Sequence, residues 1–219
     1  MAITKSRIMI VDDHPVVQMA LKGLIDATDD LEVCGQADNA ADALTIADQV
    51  KPDLYIIDLV LDEGTSGLQL IKRLKAHDEE ARFLVVSMRE EELFAERALR
   101  AGALGYVNKR ELTENILEAI QRVLADKVYL SQNMTERLLH GMVAGEGTST
   151  VSMISKLSNR ELEVFDMIGQ GVSAAQIADK LNLSVKTIET HREKIKKKLG
   201  VDSTSELNRI AIKWNIDGG

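Results

Sequence analysis

The sequence predicts an α/β fold: a doubly wound, parallel (βα)5 sheet followed by a smaller all-α unit of four helices built around a helix–turn–helix. Three observations predict it. Within about the first 125 residues, five short apolar runs rich in β-branched residues alternate with five longer runs whose apolar positions recur at helical spacing. Two of the short runs, Arg7-Ile8-Met9-Ile10-Val11 and Leu54-Tyr55-Ile56-Ile57, break off abruptly into Asp12-Asp13 and Asp58. From Leu157 the spacing is helical throughout, and helix-start signals repeat along it.

Strands are expected at residues 8–12, 32–37, 54–58, 83–87 and 104–107, and the helices of the first half at 16–27, 40–49, 68–76, 91–101 and 114–125. Continuous apolar runs suit strands buried on both faces, as parallel strands crossed over by helices are. Right-handed crossovers place the first and third strands side by side, and ligand sites in such sheets lie beyond the carboxyl ends of the strands. Asp12, Asp13 and Asp58 therefore converge on one edge. Three carboxylates there repel one another unless a hard cation sits among them, and magnesium, which prefers oxygen ligands, is the expected ion. Two further strand ends add Ser87 after Phe83-Leu84-Val85-Val86, and Lys109 after Gly105-Tyr106-Val107-Asn108. The edge then holds a carboxylate nucleophile, acids for a metal, a hydroxyl and an ammonium.

Composition narrows the class of protein. A chain of 219 residues, 45% hydrophobic and with two prolines, is globular and long enough for two ordinary domains. No apolar stretch reaches membrane-spanning length and the N-terminus lacks the core of a signal peptide, so a cytoplasmic protein without a membrane partner is expected. Cys34 is the single cysteine, which excludes an intrachain disulfide, and it is read as a small packing residue. Residues 1–130 carry 15 Lys and Arg against 24 Asp and Glu, whereas residues 131–219 carry 12 against 11. Six of those basic residues fall between Ser184 and Gly200, opposed there only by Glu189 and Glu193. Such focusing lets an acidic protein approach nucleic acid.

Residues 7 to about 126 resemble the receiver domain of two-component response regulators. Asp12-Asp13, Asp58, Ser87, Tyr106 and Lys109 fall at the matching places, and Asp12-Asp13-His14-Pro15 with Ser87-Met88 is similar to the NarL/FixJ branch in particular. The resemblance implies the strand order 2-1-3-4-5 and a phosphoryl switch. Asp58 is the phosphorylated residue, attacking a phosphohistidine of a sensor histidine kinase or a small acyl phosphate. Asp12, Asp13, Asp58 and the Val60 carbonyl hold Mg2+, with Asp12 acting largely through water. Lys109 pairs with one phosphoryl oxygen and Ser87 hydrogen-bonds another. The added dianion draws Ser87 inward and Tyr106 follows, reshaping the face formed by residues 91–101 and 104–125. His14 is read as structural.

The loop after Asp58 departs from the family pattern. Asp62 stands where the family usually has proline, and Gly67 comes nine residues past Asp58 where eight is usual, so one residue is inserted within 59–67. Ser66-x-x-Gln69 has the form of a capping box that restarts the helix beyond it. Arg110 follows Lys109 where many receivers have proline.

Beyond Leu130 the pattern weakens. A short helix is expected over 134–142, and Gly145-Glu146-Gly147-Thr148-Ser149-Thr150 reads as a tether. Ser158-x-x-Glu161, Ser173-x-x-Gln176 and Ser203-x-x-Glu206 are capping-box patterns, and Ser184 can cap a further helix over 185–199. Residues 156–216 resemble the NarL/LuxR/FixJ-type DNA-binding domain, through Leu157-Ser158-Asn159-Arg160-Glu161-Leu162, Ile177-Ala178-Asp179-Lys180-Leu181 and Ser184-Val185-Lys186-Thr187-Ile188-Glu189-Thr190-His191-Arg192. In double-stranded DNA the second helix of the pair would enter the major groove. Lys186, Thr187, Glu189, Thr190 and Arg192 are assigned to the groove, and Lys194, Lys196 and Lys197 mainly to phosphates. His191 is read as packing. In the last helix Leu207, Ile210, Ala211 and Trp214 recur at helical spacing; part of that stripe covers the small core, and the resemblance implies that the remainder pairs with a twin in a homodimer.

The sequence thus reads as a receiver domain over 1–130, a linker with a short helix over 131–155 and a LuxR-type helix–turn–helix domain over 156–219. Phosphorylation of Asp58 would control dimerisation, DNA binding and so transcription, with no enzymatic activity beyond self-phosphorylation from a donor and self-dephosphorylation. Three rivals stand beside it: a Mg-dependent phosphatase, a ligand-sensing DNA binder, and a receiver that works unphosphorylated. The phosphatase lacks a positioned general base, and a ligand pocket normally wants an aromatic lining that the first half lacks.

Overall fold

Five parallel strands form one sheet in the order β2-β1-β3-β4-β5, from β1 (Ser6–Val11), β2 (Leu31–Ala37), β3 (Leu54–Ile57), β4 (Arg82–Ser87) and β5 (Gly105–Asn108). The computed structural model describes residues 5–61, 66–144, 154 and 156–216. Between the strands run α1 (Pro15–Asp26), α2 (Ala40–Val50), α3 (Gly67–His77) and α4 (Glu91–Ala101), and α5 (Leu112–Leu124) follows β5. The chain divides into two compact units, Met1–Arg137 and Leu138–Gly219. The division falls within α6 (Gln132–Ala144).

The central strands are buried on both faces, which is why their sequences are apolar runs and not alternations. Leu21 and Ile25 of α1 and Ile116, Ile120 and Val123 of α5 pack in one cluster with Ile8, Ile10, Leu54, Ile56, Leu84 and Val86. At about 25 cal/mol per Å2 of apolar surface removed from water, this layer is the main stabilising term of the sheet. The edge strand β2 slips by one residue against β1 after Ile8, where Val33 and then Gly35 are paired and Cys34 is skipped. Cys34 occupies that bulge with its thiol over the Ile8 carbonyl, and burial pushes its pKa up. It behaves there as a packing residue.

Register sets the functional edge. Val11 pairs with both Ala37 and Ile57, the Asp12 amide donates to the Ala37 carbonyl and the Asp58 amide donates to the Val11 carbonyl. Asp12 and Asp58 are therefore the first residues past the ends of two adjacent strands. The start of α3 approaches this edge closely. Ser66 caps α3 by accepting from the Leu68 amide at 3.3 Å, a single side-chain cap in place of the expected reciprocal box. A Cβ on Gly67 would lie 2.0 Å from the Asp58 carbonyl oxygen. The loop residues Asp62 and Glu63 lie outside the described residues, as do 64 and 65, and so does the expected tether at 145–150.

After α5 the chain runs back along β5. Tyr129 bridges Gly105 in parallel register, the Tyr106 amide donates to the Tyr129 carbonyl at 3.0 Å, and the Tyr129 amide donates to the Leu104 carbonyl at 2.9 Å. Then the Ser131 amide donates to the Glu91 carboxylate at 2.8 Å, Met134 is buried, and Arg137 pairs with Glu92. The segment 127–137 is thus a strap that covers the free edge of β5 and fastens α6 to the first turn of α4.

The second unit is helical: α7 (Asn159–Gly169), α8 (Ala174–Lys180), α9 (Val185–Leu199) and α10 (Thr204–Ile216). Ser158 with Glu161 and Ser173 with Gln176 form complete capping boxes, and Ser203 accepts from the Glu206 amide at 3.2 Å. Helices α7 and α10 cross so closely that a Cβ on Gly169 would meet the Ala211 carbonyl at 2.3 Å.

Replacing Gly67 by alanine forces the Asp58–Leu59 backbone to move and is expected to destabilise the first unit by roughly 1–3 kcal/mol. Urea unfolding followed by tyrosine emission checks this, because Tyr55, Tyr106 and Tyr129 all lie in that unit. An unchanged midpoint would show that the loop accommodates a side chain there.

Candidate functional site

At the carboxyl edge of the sheet the Lys109 ammonium lies 2.7 Å from Asp12 Oδ2 and 2.6 Å from Asp58 Oδ2. Lysine and both acids are buried, at 5% side-chain exposure or less. Lys109 is delivered there because it directly follows β5 and opens a 3-10 turn, Lys109–Glu111. Burial pushes the Asp12 carboxyl up against the opposing pull of Lys109. Burial also works against charge on Lys109, but Asp58 and Asp12 outweigh it and leave the ammonium raised. The cluster is therefore a cation clamped by two anions, with each partner's charge dependent on the others.

The remaining acid is differently placed. His14 caps Asp12 through its backbone amide, which donates to Asp12 Oδ1 at 2.9 Å, while its imidazole Nδ1 lies 2.6 Å from Asp13 Oδ1. That ion-pair contact aside, Asp13 Oδ1 is a buried oxygen with no assigned hydrogen bond. Ligand atoms of Asp12, Asp13, His14 and Asp58 all lie within 4.8 Å of one another. Three converging carboxylates, one with a buried oxygen met only by an exposed imidazole, are the donor set of a hard divalent cation, so the residues fit such an ion. Val60, 43% exposed, donates its amide to Asp58 Oδ1 at 3.3 Å.

Ser87 and Tyr106 line the same edge. Ser87 ends β4, is buried, and accepts from the Arg89 amide at 3.5 Å. Tyr106 is 1% exposed, with its hydroxyl donating to the Arg89 carbonyl at 2.8 Å, and burial pushes its pKa up. Asn108 Nδ2 donates to the same carbonyl at 3.2 Å. Tyr106 is thus turned inward in this structure. The Arg89 carbonyl, invisible in a sequence, provides the partner that holds it there.

The comparisons with known proteins bear on both units. The profile of the response regulator receiver domain matches residues 8–121, and that of the luxR family of bacterial regulatory proteins matches residues 155–211. The chain belongs to the response regulators of the NarL/FixJ branch.

Relatives agree along the whole length of this response regulator. BvgA of Bordetella pertussis, named as a positive transcription regulator of virulence factors, is 34% identical over 96% of this chain and 99% of its own. The oxygen regulatory protein NreC of Staphylococcus aureus is 33% identical over 96% of this chain and 98% of its own. A structure of RcsB from Salmonella enterica serovar Typhimurium bound to promoter DNA shares the fold, with a TM-score of 0.70 and 24% identity over 95% of this chain and 98% of that one. Both matched profiles are those of regulatory proteins. Among the described residues, no helix is long and apolar enough to cross a membrane.

In the luxR-type unit of this response regulator, Ile188, Ile195 and Leu199 turn inward from α9. Lys186, Glu189, Thr190, Lys194 and Lys197 are exposed on it. Thr187 is half-buried and serves the cap, its amide donating to Ser184 Oγ at 3.1 Å. Arg192 and Lys196 stand off the open face, each with a side chain 14% exposed. Arg192 donates to Asn208 at 3.2 Å and lies near Glu189, and Lys196 pairs with Glu193 at 2.8 Å. Part of the stripe assigned to a twin is also corrected: Leu207 and Ala211 are fully buried in the unit's own core because α10 packs so tightly on α7. Ile210 and Trp214 are half-buried, and Ile212 is exposed. His191 is half-buried, as a packing residue is, and burial pushes its pKa down.

Sequence reasoning missed Gln18 and Asn108, which hold the backbone of the site. Gln18 had a signal: it falls on the inward stripe of α1 with Leu21 and Ile25, where a polar residue calls for a partner.

Within the helical unit Glu161 closes the α7 capping box and pairs with Lys198 at 2.6 Å. Burial raises its pKa, but the bonds from Lys198 and Ser158 outweigh this and leave it below 4.5. A depressed folded value means that its contribution is present above the unfolded value and is lost as pH falls through the folded one. The wild-type unit is therefore expected to lose stability below pH 4.5, and Glu161→Gln to flatten that loss while lowering neutral-pH stability by about 1 kcal/mol. Emission from Trp214, the single tryptophan, reads both; an unaltered acid profile in the variant would count against this assignment.

Proposed function

We propose that Asp58 is the phosphoryl acceptor of this response regulator and that the exposed face of α9 is its DNA-reading surface. The observation that supports the first part most is the convergence of Asp12, Asp13 and Asp58 with Lys109 on one sheet edge. A phosphohistidine of a sensor kinase approaches an Asp58 oxygen; the new O–P bond forms as the N–P bond breaks, and the imidazole leaves with the electron pair. Magnesium, held by Asp12, Asp13, Asp58 and the Val60 carbonyl, would supply the positive charge that offsets the transferring group. Lys109 is already within 2.6 Å of Asp58 and passes from carboxylate to phosphoryl oxygen with little movement. Ser87, at the neighbouring strand end, donates its hydroxyl to another phosphoryl oxygen. Self-dephosphorylation by water returns the carboxylate.

The signal then has a hydrogen-bonded route outward. Tyr106 lies between Ser87 and the strap, with its amide bonded to Tyr129 and its hydroxyl to the loop before α4. A dianion that fixes Ser87 and the Arg89 loop changes the footing of Glu91 and Glu92, to which Ser131 and Arg137 are tied. The strap is the start of the linker, so this is the contact through which a receiver over 1–130 addresses a helix–turn–helix over 156–219. On DNA, Lys186, Glu189 and Thr190 face bases and Lys194 and Lys197 face phosphates. A homodimer in the cytoplasm, joined through the residues of α10 that stay accessible, Ile210 and Trp214 among them, would present two such helices to paired half-sites.

Incubating the full chain with acetyl phosphate and magnesium tests this directly. Wild type should gain one phosphoryl group, Asp58→Asn none, and phosphorylated wild type should bind its own selected genomic fragments about tenfold or more tightly than Asp58→Asn. Equal DNA binding by the two proteins would overturn the switch, and sustained turnover of a phosphate ester would favour a phosphatase.

A further inference from the structure

Gln18 is 8% exposed, and its amide is fully engaged at the back of the acid cluster. Nε2 donates to the Asp12 carbonyl at 2.6 Å and to Asp38 Oδ1 at 2.6 Å, with the Ala37 carbonyl at 3.5 Å. Oε1 accepts from Gln36 Nε2 at 3.0 Å. One side chain of α1 therefore ties together the ends of β1 and β2.

The Asp12 carbonyl is half of the planar peptide that joins Asp12 to Asp13. Fixing the direction of that carbonyl fixes the direction in which the Asp13 Cα, and hence its carboxylate, leaves the strand. The amide before Asp12 is pinned separately, by its bond to the Ala37 carbonyl at 3.1 Å. With both peptides flanking Asp12 anchored, one to β2 and the other to Gln18, Asp13 Oδ1 stays among the other acids, with the exposed His14 imidazole 2.6 Å away.

We propose that Gln18 is a positioning residue for the cation site: by holding the Asp12–Asp13 peptide it keeps the Asp13 carboxylate turned toward Asp12 and Asp58. This rests on the reading of that cluster as a magnesium site. Gln18 touches neither the ion nor the phosphoryl group. Outer partners of this kind commonly change metal affinity by roughly 10–100-fold when lost.

The test is calorimetric titration of magnesium chloride into the unphosphorylated full chain, for wild type, Asp13→Asn, Gln18→Met and Asp38→Ala. Methionine matches glutamine in length and tolerates a helix, but has no donor. Gln18→Met is expected to weaken magnesium by about tenfold or more, and to raise the magnesium needed for half-maximal phosphorylation by acetyl phosphate while leaving the rate at saturating magnesium near wild type. A merely structural residue would lower thermal stability without that split. Asp38→Ala removes only the exposed anchor, leaves the fold intact, and should weaken magnesium about threefold. A folded Gln18→Met that binds within about threefold of wild type overturns the proposal, and if that variant does not fold, unchanged affinity in Asp38→Ala overturns it. Failure of the underlying reading looks different: Asp13→Asn then binds magnesium as wild type does, or wild type does not bind it.

Discussion

The structure depends most on one ammonium group. Lys109 sits between two buried carboxylates that the sheet topology forces together, since Asp12 and Asp58 each step off the end of a neighbouring parallel strand. Two unit negative charges within 4.8 Å repel by roughly 3 kcal/mol at an effective dielectric of about 20, a large fraction of a domain's net stability. A cation there is thus a condition for keeping both acids ionised inside the protein. Under the proposed phosphorylation, charge added to Asp58 would have to renegotiate its hold on Lys109.

From that balance the effect can travel because neighbouring groups share partners. The Arg89 carbonyl accepts from Tyr106 and from Asn108, the Arg89 amide contacts Ser87, and Tyr106 is paired through its backbone with the strap. Glu91 and Glu92 at the head of α4 complete the path to Ser131 and Arg137. Tyr106 and Ser87 are buried, whereas Glu91, Glu92, Ser131 and Arg137 are exposed or half-exposed side chains outside the core. Elements held this way open at low free energy, whereas the sheet beneath, with its two buried faces, stays fixed. A rigid floor with a lightly fastened strap is what a switch requires.

Much of this was legible in the residues. Apolar runs that stop dead on Asp12 and Asp58 mark strand ends, and right-handed crossovers set the first and third strands side by side, so the acid cluster could be placed before any coordinates, while the full strand order came from the family resemblance. The capping boxes at Ser158 and Ser173 stand where their spacing put them, because such a box is a local interaction that needs no tertiary partner. What was not legible depended on the third dimension. Ser66 makes only half of its box because α3 begins against the Asp58 backbone. Arg192 looks like a groove residue by spacing, yet α10 brings Asn208 to it. Leu207 and Ala211 could have faced a twin or a core, and the tight crossing at Gly169 decides for the core.

The measurement closest to the central claim is the stability of the first unit in Lys109→Met, read by tyrosine emission in urea with and without magnesium. With the ammonium gone, the acids face one another unpaired, and the unit should lose about 3 kcal/mol, much of it recovered when magnesium is added in excess. Wild-type stability in metal-free Lys109→Met would contradict the claim that this one charge holds the site together.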